Sequence, residues 1–534
     1  MPEQDNPDDG GVTGPQLGPP PPRAKQQPTS VAERPPDPPP ALPRPDPAPL
    51  LPSRVDSPTT GTGEILGVLA AGFFGNLVLR TGVVSSAAMA LVILTLAVVV
   101  VSTGRIRRRE PLVFLGLAAA IAPWLAIRSD NALTAMNVAM IVILLGVAAG
   151  ISKRGSAFDA RVRDLANHVW SPIYEWLYGL TIINRFASAA TAEHKLAPFL
   201  RGAAVAVPVL IIFTTLLASA DDVFAKFLLL GDLPSLIGHV ILSLAVAVLL
   251  FGWVSRAAHA APESKSPFNI RFLGPLEVTM ILGSLATLFA AFVATQVVVD
   301  LGGANHVLET EGLTQAEHAR AGFFQLLWVA GLSLGLVGGL RATRILEPEK
   351  GRDRFIPLAL VTLFLTLLIA FVSIDRLSLY VGSFGLTPLR FWALAGAAGI
   401  ALLIVAYGVS ILGWRSGAQW FPGVAIVLGA LFTLGLNVSN PDARVADYNM
   451  DRSTSVDVGT LSTLSDDAVE TMINSIHKLN AVDRESLRSE LCLRPIRQTT
   501  FGAFDYNSGR VAADGALDSF CDGGRPTESG WRGD

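Results

Sequence analysis

The side chains best suited to chemistry in this sequence are carboxylates and guanidiniums that stand just beyond long apolar runs. Asp221 and Asp222 follow one such run, in Ala218-Ser219-Ala220-Asp221-Asp222-Val223-Phe224, Asp300 follows another, and Asp375 with Arg376 follows a third. Glu311, Arg320 and Arg390 lie in the stretches between apolar runs. Carboxylates paired in this way can bind a divalent cation or act as acid and base in a pocket. They can equally be solvated helix ends, with Asp221 or Asp222 pairing with Arg320 or Arg390. Both readings stand at this point. The chain has no phosphate-cradling P-loop, no HExxH zinc motif and no GxSxG nucleophile elbow. The sequence therefore assigns no catalytic residue, no metal ligand and no cofactor.

The elements that must position these residues are apolar helices. Of 534 residues, 51% are hydrophobic and 16% charged, against about a quarter charged in a soluble domain, and the mean hydropathy is +0.47. Eleven apolar segments follow the N-terminal region, at about 65–79, 83–103, 111–127, 131–151, 202–220, 235–254, 275–299, 322–340, 355–374, 390–412 and 421–438. A helix of about 20 apolar residues crosses the roughly 30 Å of hydrocarbon in a bilayer. The expected fold is an all-α integral membrane protein with about 11 transmembrane helices and the lipid bilayer as its constant partner. Charges inside the segments are nearly absent: Glu277 and His239 sit close to segment ends, while Asn76, Asn137 and Gln296 are uncharged and suited to bonding neighbouring helices. This pattern argues against a proton-coupled transporter with a midplane carboxylate.

Basic residues orient the chain, because loops kept in the cytoplasm carry the Lys and Arg excess. With the N-terminus inside, the inner stretches hold 25 Lys and Arg and the outer loops 6, and 10 more lie in the C-terminal region. The expected topology is N-terminus cytoplasmic, C-terminus extracytoplasmic. Residues 1–62 hold 19 of the 35 prolines and few large apolar side chains, too little to offset ordering entropy, and are read as a disordered cytoplasmic tail. Residues 63–439 form the polytopic domain. Within its longest inner loop, about 156–195, the spacing of Phe158, Val162, Leu165 and Val169 predicts amphipathic interfacial helices broken at Ser171-Pro172. Residues 440–534 carry 16 Asp and Glu against 10 Lys and Arg and read as a small acidic exterior helical domain with a flexible tail. Asn440-Pro441 opens one helix, Ser465-Asp466-Asp467 another, and the pattern resumes at Leu487 after a break at residues 481–483. The only cysteines, Cys492 and Cys521, fall in the one sizeable region expected to meet an oxidising compartment, which makes them a candidate disulfide. The net charge of −3 supports no nucleic-acid partner. The proline-rich tail or the exterior domain could engage an unidentified protein partner.

Gly312-Leu313-Thr314 and Gly385-Leu386-Thr387 each read as a glycine turn delivering a capped helix, with Thr314 and Glu317 as a capping box and Thr387 capping ahead of Pro388. These loops, together with the Asp221-Asp222 run, residues 311–324, Phe384-Gly385-Leu386-Thr387-Pro388-Leu389-Arg390 and Asn440-Pro441-Asp442, resemble in order a bacterial polytopic membrane family. It is catalogued as a domain of unknown function, numbered four-one-five-three and four-one-seven-three in two overlapping versions. Where the family motif carries a tyrosine, this chain has Phe384. The resemblance covers roughly residues 200–480 and implies a multi-pass protein of the bacterial cell membrane, with no activity attached. The function expected is that of a non-enzymatic envelope or signalling-associated component. The alternatives are a transporter of a neutral or lipid-like solute, and a membrane glycosyl or lipid transferase with an outward-facing acidic site.

Overall fold

Apolar runs with little else in them can satisfy their backbone only as helices in a hydrocarbon setting, and every long element here is one. The computed structural model describes residues 62–81, 84–104, 106–153, 155–160, 164–169, 233–258, 274–298, 322–342, 349–413, 420–452, 456–495, 502–521 and 525–526. Among them there is no strand. The chain is an all-helical integral membrane protein. Eight helical stretches among the described residues are long and apolar enough to cross a membrane, and 87–102 and 238–254 are shorter apolar helices. The expected segment at 202–220 lies outside the described residues, as does most of the 156–195 loop.

In chain order the apolar helices are α1 (Thr62–Thr81), α2 (Ala87–Ser102), α3 (Arg109–Ile121), α4 (Trp124–Ile127), α5 (Asn131–Gly150), α6 (Leu233–Ala258), α7 (Pro275–Val298), α8 (Phe323–Ala342), α9 (Glu349–Phe384), α10 (Pro388–Leu412) and α11 (Phe421–Ser439). The C-terminal helices are α12 (Pro441–Met450), α13 (Val458–Ser462), α14 (Val469–Ser475), α15 (Ala481–Cys492) and α16 (Ser508–Phe520). One core joins α1, α2, α3, α5 and α6, with Phe114, Leu144 and Val254 fully buried. A second joins α7 to α10 around Leu282, Phe355 and Ala359. A third runs from the ends of α9 and α10 into the C-terminal helices through Val445, Leu461, Val469 and Leu487. Gly72 lets α1 approach α6 so closely that a Cβ there would overlap the Ser243 carbonyl, the small-residue contact typical of helices packed in lipid.

Contacts sort the connecting segments into two ends. At one end Arg108 donates to the carbonyls of Ile151 (2.9 Å) and Gly155 (2.7 Å), and Ser152 to that of Ala257 (2.7 Å). At the other, the α1–α2, α4–α5 and α9–α10 connections meet the C-terminal helices. The three neutral polar residues that the sequence singles out in the spans each bond another helix: Asn76 to His239 (2.9 Å), Asn137 reciprocally to Asn437 (3.0 and 2.6 Å), and Gln296 to Arg376 (2.6 Å).

Two expectations are corrected. The ninth segment, expected to end at residue 374 ahead of Asp375-Arg376, continues as helix to Phe384. At 36 residues α9 is about 54 Å long, longer than the roughly 30 Å of hydrocarbon, with both charged residues inside the helix. It stops at Gly385, whose φ of 82° suits glycine and whose N–H reaches the Val381 carbonyl at 2.9 Å. The break expected at residues 481–483 lies instead at Leu479-Asn480, because Asn480 caps α15 by accepting from the Asp483 N–H at 2.9 Å. In the stretch after α5, Leu165 is buried, and Phe158 and Val169 pack on the core beside it. His168 and Val169 lie against Gly150 and Gly146 of α5, so this stretch is fastened to the bundle.

Candidate functional site

Among the described residues, a group of buried and half-buried ionisable side chains gathers at the junction between the bundle and the C-terminal helices. Ser465 is extended and starts a 3-10 turn, Asp466–Ala468, that feeds α14. This turn directs the Asp467 carboxylate at the α4–α5 connection, where Oδ2 accepts from the backbone N–H of Ser129 (2.8 Å) and Asp130 (3.2 Å). The Asp467 N–H donates back to the Ser129 hydroxyl at 3.1 Å, and its carbonyl accepts from Asn440 Nδ2 at 3.1 Å. Its other carboxylate oxygen presses on Gly509 of α16, where any Cβ would overlap it. Asp130 caps α5, accepting from the Ala132 N–H at 2.9 Å. Asp442, in the first turn of α12, accepts from the Ser465 N–H at 2.8 Å. Arg128 donates from Nε to the Asn437 carbonyl at 2.9 Å and lies over the Trp124 ring.

Burial dominates the electrostatics here. It raises the Asp130 carboxyl to about 6, helped by the charges of Asp442 and Asp467 and opposed by the Ala132 N–H. Burial also raises Asp467, against the Ser129 and Asp130 N–H groups and the Arg128 charge. Arg128 is lowered by its own burial despite Asp467. A carboxylate whose oxygen is directed at backbone N–H groups is a fastener, and no group of three or more His, Cys, Asp or Glu among the described residues is placed to hold a metal ion.

Asn507 completes the joint. It is 1% exposed, and its Nδ2 donates to the carbonyls of Ser85 (3.3 Å), Leu125 (3.3 Å) and Arg128 (2.8 Å) while Oδ1 caps α16 through the Arg510 N–H (3.1 Å). The adjacent Tyr506 carbonyl accepts the Ala87 N–H at 3.0 Å. Neither Asn507 nor the roles of Asp130 and Asp467 are evident from sequence. Asn507-Ser508-Gly509 carries a cap signal, but nothing local marks its partners about four hundred residues away.

Of the residues the sequence singles out, Asp221, Asp222, Asp300, Glu311 and Arg320 lie outside the described residues, and with them the expected carboxylate–arginine pairs. Asp375 is exposed on α9. Arg376 holds Gln296 of α7 at 2.6 Å. Arg390 donates to the carbonyls of Phe384 (3.1 Å) and Gly385 (2.5 Å) and stacks 4.4 Å from the Tyr380 ring centroid. Its guanidinium thus closes the carbonyl end of α9, and Tyr380, one turn before Phe384, supplies the aromatic face. Thr387 caps α10 through the Arg390 N–H at 3.4 Å.

Cys492 and Cys521 are joined in a disulfide, with their Cα atoms 5.7 Å apart. It ties the end of α15 to the end of α16, closing a loop of 29 residues. In the chain-entropy picture such a loop contributes about 3–4 kcal/mol. Purified protein should therefore change mobility on reduction and Cys492→Ser should abolish the change. Full thiol labelling without reductant would contradict the bond.

A family model described as "Domain of unknown function (DUF4153)" matches residues 89–475. The chain belongs to this family. No curated protein matches it, and no solved structure does. In this DUF4153 protein the matched region takes in all the spans from α2 onward and the first half of the C-terminal helices, including Asp130, Asn440, Asp442 and Asp467. Asn507 and the disulfide partner Cys521 lie beyond it.

Proposed function

We propose that this DUF4153 protein is a non-enzymatic component of a bacterial cell envelope. In this reading it is a multi-pass protein of the cell membrane that presents an acidic helical domain on the outer face. The observation that carries the reading is the joint: its buried ionisable groups are engaged in holding the C-terminal helices to the bundle. A catalytic carboxylate needs an oxygen turned towards a substrate. Here Oδ2 of Asp467 and Oδ2 of Asp442 meet backbone N–H groups, and the second Asp467 oxygen, which makes no hydrogen bond among the described residues, is buried against Gly509. The outward orientation is supported by the basic residues of the alternate loops and by the disulfide in the C-terminal region, which favours an oxidising compartment.

Two measurements test it. An alkaline-phosphatase fusion after Asn440 should be active and one after Arg109 inactive; activity after Arg109 would overturn the orientation. For function, the lipid and metabolite profile of a deletion strain should be restored by Asp467 and Asp442 variants only in proportion to their folded abundance. An Asp467→Asn protein of normal abundance and melting temperature that restores nothing would favour the transferase or another enzymatic reading. Transport of a lipid-like solute is the second reading, favoured by one observation: a cavity of about 770 Å³ beside the joint, with an apolar floor on α10 and α11.

A further inference from the structure

That cavity lies where α10, α11 and α12 diverge, and its volume of about 770 Å³ is in the range of sites that enclose small ligands. Its floor is made by Leu394, Ala395 and Ala398 of α10 and Phe432 of α11. Both helices are apolar enough to span a membrane, so the floor is at hydrocarbon depth. The two alanines leave the room. The rim is on α12, which begins two residues after α11 ends and so sits at the level where headgroups meet acyl chains.

The rim is charged, and its residues divide into engaged and available groups. Arg452 donates to the carbonyls of Val381 (2.9 Å) and Ser383 (3.1 Å) at the end of α9, and Asp451 holds Lys478 at 2.5 Å. Arg444 uses only Nε, on the Ser439 carbonyl at 3.2 Å. Its two terminal nitrogens and the Asp447 carboxylate make no hydrogen bond or ion pair among the described residues and line the cavity. Three positions apart on a helix, they share a face. The rim therefore offers one guanidinium fork and one carboxylate over an apolar slot that opens to lipid.

We propose that this groove binds one phospholipid whose headgroup carries both a phosphate and an amine. An acyl chain lies along Leu394, Ala395, Ala398 and Phe432, the phosphate meets Arg444, and the ammonium meets Asp447. Guanidinium is the side chain best matched to phosphate oxygens. An anionic headgroup without an amine would set its negative charge against Asp447 with nothing in return. The proposal does not depend on which face of the membrane the joint occupies, nor on whether the protein is an enzyme.

The test is native mass spectrometry of the full-length protein in detergent, titrated with phosphatidylethanolamine and with phosphatidylglycerol of matched acyl chains. The wild type should bind one phosphatidylethanolamine about tenfold more tightly than phosphatidylglycerol, since a charge-assisted contact corresponds to about that factor. Asp447→Asn should remove the preference, weakening phosphatidylethanolamine binding and leaving phosphatidylglycerol binding no weaker than in the wild type. Arg444→Gln should weaken both about tenfold, and Ala398→Trp, which fills the slot, should exclude both. Melting curves confirm that each variant is folded, and Arg444→Gln and Asp447→Asn are surface changes that leave the core untouched. Equal affinity of the wild type for both lipids would overturn the proposal. So would undiminished binding by folded Ala398→Trp, or a mass of two chains with no lipid adduct.

Discussion

Asn507→Ala is expected to lower stability by about 3 kcal/mol, combining a lost helix cap with buried carbonyls left without a donor. The residue is a single side chain capping α16, but the groups it serves belong to the α1–α2 connection, to α4 and to the α4–α5 connection. Its removal loosens the contact between C-terminal helices and bundle as well as α16 itself. The informative companion is Asn507→Asp. Aspartate caps helices about as well as asparagine, so a residue acting only as a cap would tolerate the change. Here the new carboxylate would face three carbonyl oxygens, and the substitution should be at least as damaging as alanine. Thermal melts in detergent, with limited proteolysis between α15 and α16 as a local readout, check both. An Asn507→Asp protein as stable as the wild type would show that the three carbonyls do not depend on Nδ2.

Asp130→Asn is expected to do the opposite and stabilise the protein at neutral and alkaline pH. The folded carboxyl titrates at about 6, against an ordinary value of 3.8, so the folded state holds this proton more tightly than the unfolded state. Stability from this group is therefore complete below about pH 4 and is lost as pH rises through 6. A rise of that size corresponds to about 3 kcal/mol at most, and the neighbouring carboxylates share in it. Asparagine keeps the cap on α5 and abolishes the titration. Its melting temperature should exceed that of the wild type at pH 8, the two should converge near pH 4, and its profile between pH 5 and 7 should be flatter. A lower melting temperature for Asp130→Asn at pH 8 would mean that the charged carboxylate has a stabilising partner.

Much of the helical layout is legible in the sequence because it rests on local signals. Apolar runs coincide with α1 through α11 wherever the residues are described, and Thr387-Pro388 and Asn440-Pro441 cap the helices they precede. The end of α9 is misjudged because a charged pair usually marks the limit of a span, whereas this helix continues beyond the membrane thickness until Gly385 permits it to stop. The joint is not legible for a different reason. Asp467 and Ser129 are 338 positions apart, and Asn507 and Arg128 are 379 apart. Each looks locally like an ordinary cap or turn residue, and only the folded bundle brings the backbone donors and acceptors to them. The carboxylates beyond apolar runs draw attention for the same reason: their surroundings are visible in the sequence, whereas those of Asp130 are not.

Asn440 is the one non-glycine residue among those described with positive φ, at 50°, and it is at once the last residue after α11 and the cap of α12. A connection one residue long has no slack. A flexible linker would let the helices on either side reorient freely, whereas this connection mounts α12 directly on the end of α11. The cavity beside α12 is lined by the same two helices, so the angle that Asn440 fixes between them also sets its width.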